Sequence, residues 1–148
     1  MDGTHSVSTL FAINIFVVLL AVLVHYQCLS WMSRLMLYMN MLHRFRIVIA
    51  IIGTLIAHLV EIWIFAVVYY WMHQSENWGF FEGNFSGSLL DCTYFSITAF
   101  TTLGIGDIEP FGPVRFLAGM EALVGLVLIT WTASFLFLEM QRRWNLKH

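Results

Sequence analysis

The chain of 148 residues is long enough for one domain, and its composition is far from that of a soluble protein. Hydrophobic residues make up 59% and charged residues 11% of the chain, whereas a soluble domain has about 25% charged residues. This composition excludes a disordered chain and a soluble enzyme, and a net charge of −2 offers no basic surface for nucleic acid. We therefore expect a lipid bilayer as the surroundings, and no soluble substrate.

Three apolar segments are long enough to cross a bilayer, which takes roughly 20 residues. They run from Val7 to about Tyr26, from Ile47 to about Met72, and from Val114 to about Leu138. The first is interpreted as a span and not as a signal peptide, because no Lys or Arg precedes it and no A-x-A pattern follows it. We interpret Leu29–Phe45 as an amphipathic helix in the membrane interface; the alternative is that it extends the neighbouring helices.

The basic residues predict the orientation of the spans. Six of the seven Lys and Arg follow the first or the third span, and basic residues favour the cytoplasmic side. The N-terminus is then outside the plasma membrane and the C-terminus is cytoplasmic. We divide the chain into residues 1–45, with the first span and the interfacial segment, and residues 46–148, with the other two spans.

A fourth apolar segment, Leu89–Thr102, is too short to span and leads into a glycine-containing loop, Leu103–Asp107. Glycine breaks helices. Irregular backbone is tolerated at membrane depth only where it is buried in protein or lines a water-filled cavity. The pattern therefore predicts a half-helix and an irregular loop beside an aqueous path.

The spacing of Gly104 and Gly106 suits a backbone strand whose carbonyl groups all face one axis. A cation that loses its water needs several oxygens, and such a strand supplies them. It needs unusual backbone angles at alternate positions, which glycine adopts easily, and Thr102 adds a hydroxyl oxygen. Because one chain supplies one strand, a closed ring of oxygens requires a cyclic oligomer.

Residues 101–107, Thr-Thr-Leu-Gly-Ile-Gly-Asp, resemble the selectivity filter of potassium channels, usually T-T-V-G-Y-G-D. The resemblance extends over about residues 47–138. It implies an all-α membrane protein with three transmembrane helices plus a re-entrant pore helix and selectivity-filter loop, assembled as a homotetramer. It implies passive potassium transport, no enzymatic activity, and no cofactor besides potassium ions. The ion-binding residues of the filter would be Thr102, Leu103, Gly104, Ile105 and Gly106, with K⁺ at the first four.

The same resemblance assigns supporting positions around the filter. Tyr94 and Phe95 lie where aromatic residues surround it, Thr101 precedes it, Asp107 lies where a carboxylate supports it from behind, and Gly125 lies where the inner helix often bends. A group of small bacterial ion-channel proteins is more similar still. It shares His-x-x-Glu at 58–61, Tyr-Phe-Ser at 94–96 and Glu-Ala-Leu-Val-Gly at 121–125.

One departure from the family pattern concerns selectivity. Ile105 replaces the usual Tyr, and Ile cannot hydrogen-bond to the surrounding aromatic residues. We expect potassium selectivity with a less rigid filter. A nonselective or sodium-permeable cation channel of the same fold is the alternative.

Ionisable residues inside spans are costly and are usually paired or functional. His58 and Glu61 share one helix face. They are interpreted as a hydrogen-bonded pair that braces the outer helix against the pore helix, as a proton-sensitive gating latch, or as metal or haem ligands. In the last case the chain would be a nonconducting scaffold or cofactor-binding subunit, with His25 and His43 as further ligands.

Glu121, in the third span, has two interpretations. It lies one helical turn before Gly125 and either lines the cavity and attracts cations or accepts hydrogen bonds from pore-helix hydroxyls such as Ser96 or Thr98. We favour the second, because a position this early in the inner helix lies beside the pore helix.

Overall fold

The computed structural model describes residues 3–38, 43–75 and 77–144. Four helices and two short strands account for most of them: α1 Gly3–Tyr38, α2 His43–Gln74, β1 Phe80–Gly83, α3 Leu89–Phe100, β2 Ile108–Phe111 and α4 Val114–Trp144.

Three of the helices have the length and apolarity to cross a membrane. Their apolar segments are Val7–Met36, Phe45–Gln74 and Val114–Gln141. The three predicted spans are thereby confirmed, each somewhat longer than the sequence indicated. Helix α3 is apolar but has 12 residues, which is too short for a span.

Helix α1 continues without a break to Tyr38, so a separate interfacial helix beginning at Leu29 is not observed. The structure has the alternative, in which this segment extends the first helix; residues 39–42 lie outside the described part. The reason is that the buried face of α1 continues past residue 29. Ala21, Leu29 and Met36 are all buried, and their spacing of eight and seven residues keeps them on one face.

Strands β1 and β2 form an antiparallel sheet that the all-α expectation missed. Phe80 pairs with Phe111 and Gly83 with Ile108, and the rings of Phe80 and Phe111 stack with centroids 5.5 Å apart. Since β1 precedes α3 and β2 follows the loop after it, the sheet fixes both ends of the segment that carries the glycine motif.

Helix α3 lies against both α2 and α4, and α1 packs against the same two helices. An aromatic cluster fills the space between α2, α3 and β1. The ring of Tyr69 lies 5.1 Å from that of Phe95 and 5.7 Å from that of Phe81. These contacts hold α3 in position against α2 and β1.

The start of α3 is capped by its own side chains. The Ser88 hydroxyl accepts a hydrogen bond from the Asp91 N–H at 3.1 Å. The Asp91 carboxylate accepts hydrogen bonds from the Ser86 N–H at 2.8 Å and the Ser86 hydroxyl at 2.5 Å. The Ser86 hydrogen bonds lower the pKa of Asp91, which keeps a negative charge at the helix N-terminus, where the helix dipole favours it.

We expect Ser88→Ala to reduce stability by about 0.5–2 kcal/mol per chain, because the Asp91 N–H loses its acceptor. Thermal unfolding in detergent measures the change. Ser88→Asp is the matched control, since aspartate also caps helices and should retain most of the stability. Equal unfolding temperatures for Ser88→Ala and the unmodified chain would contradict the capping role.

Candidate functional site

The loop after α3 has left-handed backbone at every second residue. The φ angle is 58° at Thr102, 52° at Gly104 and 82° at Gly106. Thr102 is the one non-glycine among the described residues with positive φ. Alternation of this kind turns successive peptide groups toward the same side, so that N–H groups face one way and carbonyl groups the other.

Hydrogen bonds show which side faces the protein. The N–H groups of Leu103 and Gly104 both donate to the Thr98 carbonyl, at 2.9 and 3.1 Å, and the Thr102 N–H donates to the Ala99 carbonyl at 2.9 Å. In a trans peptide the carbonyl points opposite to the N–H, and no cis peptide occurs among the described residues. The carbonyls of residues 101–103 therefore point away from α3.

The carbonyls of this loop, up to that of Gly106, have no hydrogen-bond partner within the described part of the chain. Among the described residues, no hydrogen bond is accepted by the carbonyls of residues 102–106, and residues 101–106 are exposed. A row of unpaired carbonyls at one surface is chemically suited to bind water or a cation.

The residues predicted to support this loop from α3 and from its two ends have different surroundings. Burial and the nearby Asp107 carboxyl raise the pKa of Tyr94, so α3 comes close to the far end of the loop at this residue. Phe95 is buried in the aromatic cluster and also lines a cavity of about 400 Å³ beside Gly104 and Gly106. The Thr101 hydroxyl donates to the Ile97 carbonyl at 2.7 Å and so closes the end of α3.

Glu121 is fully buried in the chain, which contradicts the interpretation that it lines an open cavity. Its carboxylate accepts hydrogen bonds from the Ser96 hydroxyl at 2.5 Å and from the Tyr69 hydroxyl. Thr98 is not a partner, because its hydroxyl donates to the Phe95 carbonyl at 2.8 Å. Glu121 thus joins α4 to α3 and α2 behind the loop, and Tyr69 is a partner that sequence reasoning missed.

Gly125 lies where α4 crosses the end of α3. A Cβ atom at this position would be 2.0 Å from the Phe100 carbonyl oxygen, so the two helices approach to a distance that only glycine permits. The structure thereby gives Gly125 a packing function, while its function as a bending point stays a prediction.

His58 and Glu61 belong to a larger buried cluster than expected. Glu61 bonds His58 Nδ1 at 2.9 Å and His25 Nδ1 of α1 at 2.8 Å. Thr132 of α4 bonds Nε2 of both histidines, at 3.1 Å to His58 and 3.4 Å to His25. The hydrogen bonds of the pair join α2 to α1 and α4, whereas its contact with α3 is between the rings of His58 and Phe100, with centroids 5.6 Å apart. Bracing of α2 against α3 stays a prediction.

The geometry of the cluster tests whether these side chains could be metal or haem ligands. The ligand atoms of His25, His58 and Glu61 all lie within 4.8 Å of one another, close enough to hold a metal ion. Each nitrogen of both rings already has a hydrogen-bond partner, so the cluster is satisfied by its own side chains. The side chain of His43 lies outside the described part of the structure.

Comparison with known proteins identifies the family. A family model described as "Ion channel" matches residues 57–142, which contain most of α2, all of α3, the loop and nearly all of α4. No curated protein and no solved structure matches the chain. Because the family match covers more than half of the chain and includes the loop with unpaired carbonyls, the chain belongs to the ion channel family.

Proposed function

We propose that this ion channel is potassium-selective and forms a homotetramer around one central pore. One observation carries the proposal: positive φ at Thr102, Gly104 and Gly106, with the N–H groups of residues 103 and 104 donated to the Thr98 carbonyl. This backbone directs a row of carbonyls away from the chain. One chain provides one side of a coordination shell, and fourfold symmetry completes it.

In the proposed pore, potassium ions exchange hydration water for protein oxygens. The carbonyls of residues 102–105 and the Thr102 hydroxyl supply them, and occupancy by several ions allows each to leave. Helix α3 is then a re-entrant pore helix. Its C-terminal end, at Phe100, carries the partly negative end of the helix dipole toward the inner cavity, which favours a cation there.

The charge near the loop supports an outward-facing mouth. Glu82 and Glu109 lie directly opposite each other in the two-stranded sheet, and both are exposed. Acidic groups near an opening raise the local concentration of cations. Together with the basic residues expected on the cytoplasmic side, this charge supports a proposed orientation with the N-terminus and the loop mouth outside and the C-terminus inside the plasma membrane.

The reversal potential in a planar bilayer tests the proposal, with potassium on one side of the purified protein and sodium on the other. We expect current that reverses at a voltage far from zero, with the sign that a permeability much higher for potassium than for sodium requires, because the carbonyl row replaces the potassium hydration shell. The molecular mass of the detergent complex, after subtraction of bound detergent, should correspond to four chains.

Two results would contradict the proposal in different ways. A current that reverses near zero would establish the nonselective cation channel, an alternative that Ile105 favours because its side chain offers no hydrogen bond to neighbouring aromatic residues. A tetramer without current across a range of voltage and pH, together with a visible absorption band, would favour a cofactor-binding scaffold.

A further inference from the structure

Four buried or nearly buried side chains from three helices close a ring of hydrogen bonds, here called the hydrogen-bond ring. It consists of His25 of α1, His58 and Glu61 of α2, and Thr132 of α4. Glu61 bridges the two Nδ1 atoms at 2.8 and 2.9 Å, and the Thr132 hydroxyl bridges the two Nε2 atoms at 3.4 and 3.1 Å. The two imidazole rings stack, with centroids 5.3 Å apart and planes at 29°.

The ring fixes the number of protons that its members hold. It has four links, each of which needs one hydrogen and has room for no more. Thr132 brings one hydrogen, so the histidines and Glu61 must hold three between them. A carboxylate with two neutral histidines holds only two, which would leave two lone pairs facing each other in one link. The fully bonded ring therefore holds one further proton.

This proton also balances the charge. A carboxylate with one imidazolium and one neutral imidazole has no net charge, and the same holds if the proton moves from the imidazolium to Glu61. Since His25, Glu61 and Thr132 are largely or fully buried, a neutral and fully bonded ring avoids the cost of an unpaired buried charge.

We propose that the hydrogen-bond ring is a proton-binding site that joins α1 to α2 and α4 by holding one proton beyond those of a carboxylate and two neutral histidines. The site is separate from the carbonyl loop, and it stands whether or not the proposed potassium selectivity is correct.

Two aromatic rings and one thiol lie next to the hydrogen-bond ring, and the two aromatic side chains cover it. The Trp131 side chain lies 5.3 Å from the His25 imidazole, and the Phe100 side chain lies 5.6 Å from the His58 imidazole, measured between centroids. Cys28 on α1 is a further titratable group that interacts electrostatically with Glu61.

Two members of the hydrogen-bond ring border open space. His58 and Thr132 line a largely apolar cavity of about 590 Å³ between α2, α4 and the end of α3. The His58 side chain is 14% exposed, whereas the side chains of His25 and Glu61 are fully buried. His58 is therefore the member through which the ring gains or loses its proton.

The proton count predicts how stability depends on pH. In the unfolded chain histidine has its ordinary pKa of about 6.5. Well above this value the three separated groups hold two protons, so forming the ring takes up one proton and stability falls as pH rises. Well below it they hold four, so forming the ring releases one and stability falls as pH falls. Stability should be greatest near pH 6.5, with the unfolding equilibrium approaching about a tenfold change per pH unit on either side.

The experiment is thermal unfolding of the full chain in detergent between about pH 5 and 8, at constant ionic strength. The unmodified chain should show the highest unfolding temperature near the middle of this range. Glu61→Gln should lose the alkaline decline and keep the acid decline, because glutamine donates to one histidine and accepts from the other, and both histidines stay neutral.

His58→Gln should show the opposite change. The glutamine amide donates to Glu61 and accepts from Thr132, so His25 must be doubly protonated to complete the ring. The acid decline is then lost and the alkaline decline is kept. Glu82→Gln, on the exposed strand β1, is the matched control and should keep both declines.

Several outcomes would overturn the proposal. An unfolding temperature that stays constant above about pH 6.5 in the unmodified chain would mean that both histidines are neutral beside an anionic Glu61. Identical pH profiles for Glu61→Gln and His58→Gln would show that the ring does not set the proton count. One equivalent of a transition metal in the purified protein would identify the cluster as a metal site instead.

Discussion

Replacing Gly104 by alanine is expected to abolish the proposed selective potassium conduction while leaving each chain folded. Gly104 has φ of 52°, and an added Cβ would meet no atom within 4 Å in the chain. The substitution therefore acts through the backbone alone, where left-handed φ costs a residue with a Cβ about 1–2 kcal/mol. In a tetramer the cost is incurred by four copies around one axis, roughly 4–8 kcal/mol in all.

This strain favours conformations in which the strand no longer alternates between positive and negative φ. If the φ of residue 104 relaxes to negative values, the neighbouring peptide groups rotate and their carbonyls leave the axis. A potassium ion in the pore then lacks some of the carbonyl oxygens that replace its hydration water. Reversal potentials under potassium and sodium gradients, recorded in the same lipid as for the unmodified channel, measure the loss.

Gly87→Ala is the matched control for this change. Gly87 has φ of 80°, and the nearest atom to its added Cβ would be His73 Nε2 at 3.8 Å, so the control has a similar backbone cost. It lies before α3, outside the carbonyl row. We expect Gly87→Ala to lower stability but to retain selectivity. Unchanged selectivity in Gly104→Ala would contradict the proposed function of the strand.

The sequence predicted those features that depend on local pattern. Long apolar runs identified the three spans, because the thickness of a bilayer sets a length that few other structures need. The spacing of Gly104 and Gly106 predicted alternate unusual backbone angles, and the structure has positive φ at both and at Thr102. Which ion these carbonyls bind stays a prediction, since it depends on an assembly of several chains.

The features that the sequence did not predict depend on contacts between distant segments. His58 and Glu61 were recognised as a pair because they lie three residues apart, but His25 and Thr132, 33 residues before and 74 residues after His58, complete the cluster. A threonine or tyrosine in an apolar run is indistinguishable from a packing or interfacial residue until its partner is known. For this reason Tyr69 was missed as a partner of Glu121.

Two other features that differ from the sequence prediction, the two strands and the longer α1, also depend on contacts between distant segments. Strands of four residues carry too little alternation to be distinguished from a loop, and they exist here because β1 and β2 pair across the intervening α3. The segment after Leu29 has an amphipathic composition that also suits an interfacial helix. Its polar residues are compatible with a long α1 because Leu29 and Met36 continue the buried face of that helix.

Gly125→Ala is expected to destabilise the fold most strongly of the substitutions considered. The added Cβ would lie 2.0 Å from the Phe100 carbonyl oxygen and 2.8 Å from the carbonyl carbon. These are backbone atoms at the end of α3, so no side-chain rotation relieves the clash, and the two helices must separate. Overpacking of this kind costs about 1–3 kcal/mol per chain, and more where the backbone cannot move.

The displacement would be transmitted to the loop, because Phe100 directly precedes it. The Thr98 carbonyl, two residues earlier, accepts the N–H groups of Leu103 and Gly104. Movement of the end of α3 therefore shifts the acceptor on which the carbonyl row depends. We expect a lower unfolding temperature and a loss of current at temperatures where the protein is still folded.

Gly119→Ala makes the same change in the same helix and is the control. An added Cβ at Gly119 would meet no atom within 4 Å, and alanine is favoured over glycine inside a helix by about 0.5–1 kcal/mol. The free energy of unfolding of Gly119→Ala should equal that of the unmodified chain or be slightly higher. If Gly125→Ala and Gly119→Ala unfolded at the same temperature, the close approach of α4 to the end of α3 would be refuted. If Gly125→Ala lost stability but kept its selectivity, α4 would hold α3 without setting the geometry of the carbonyl row.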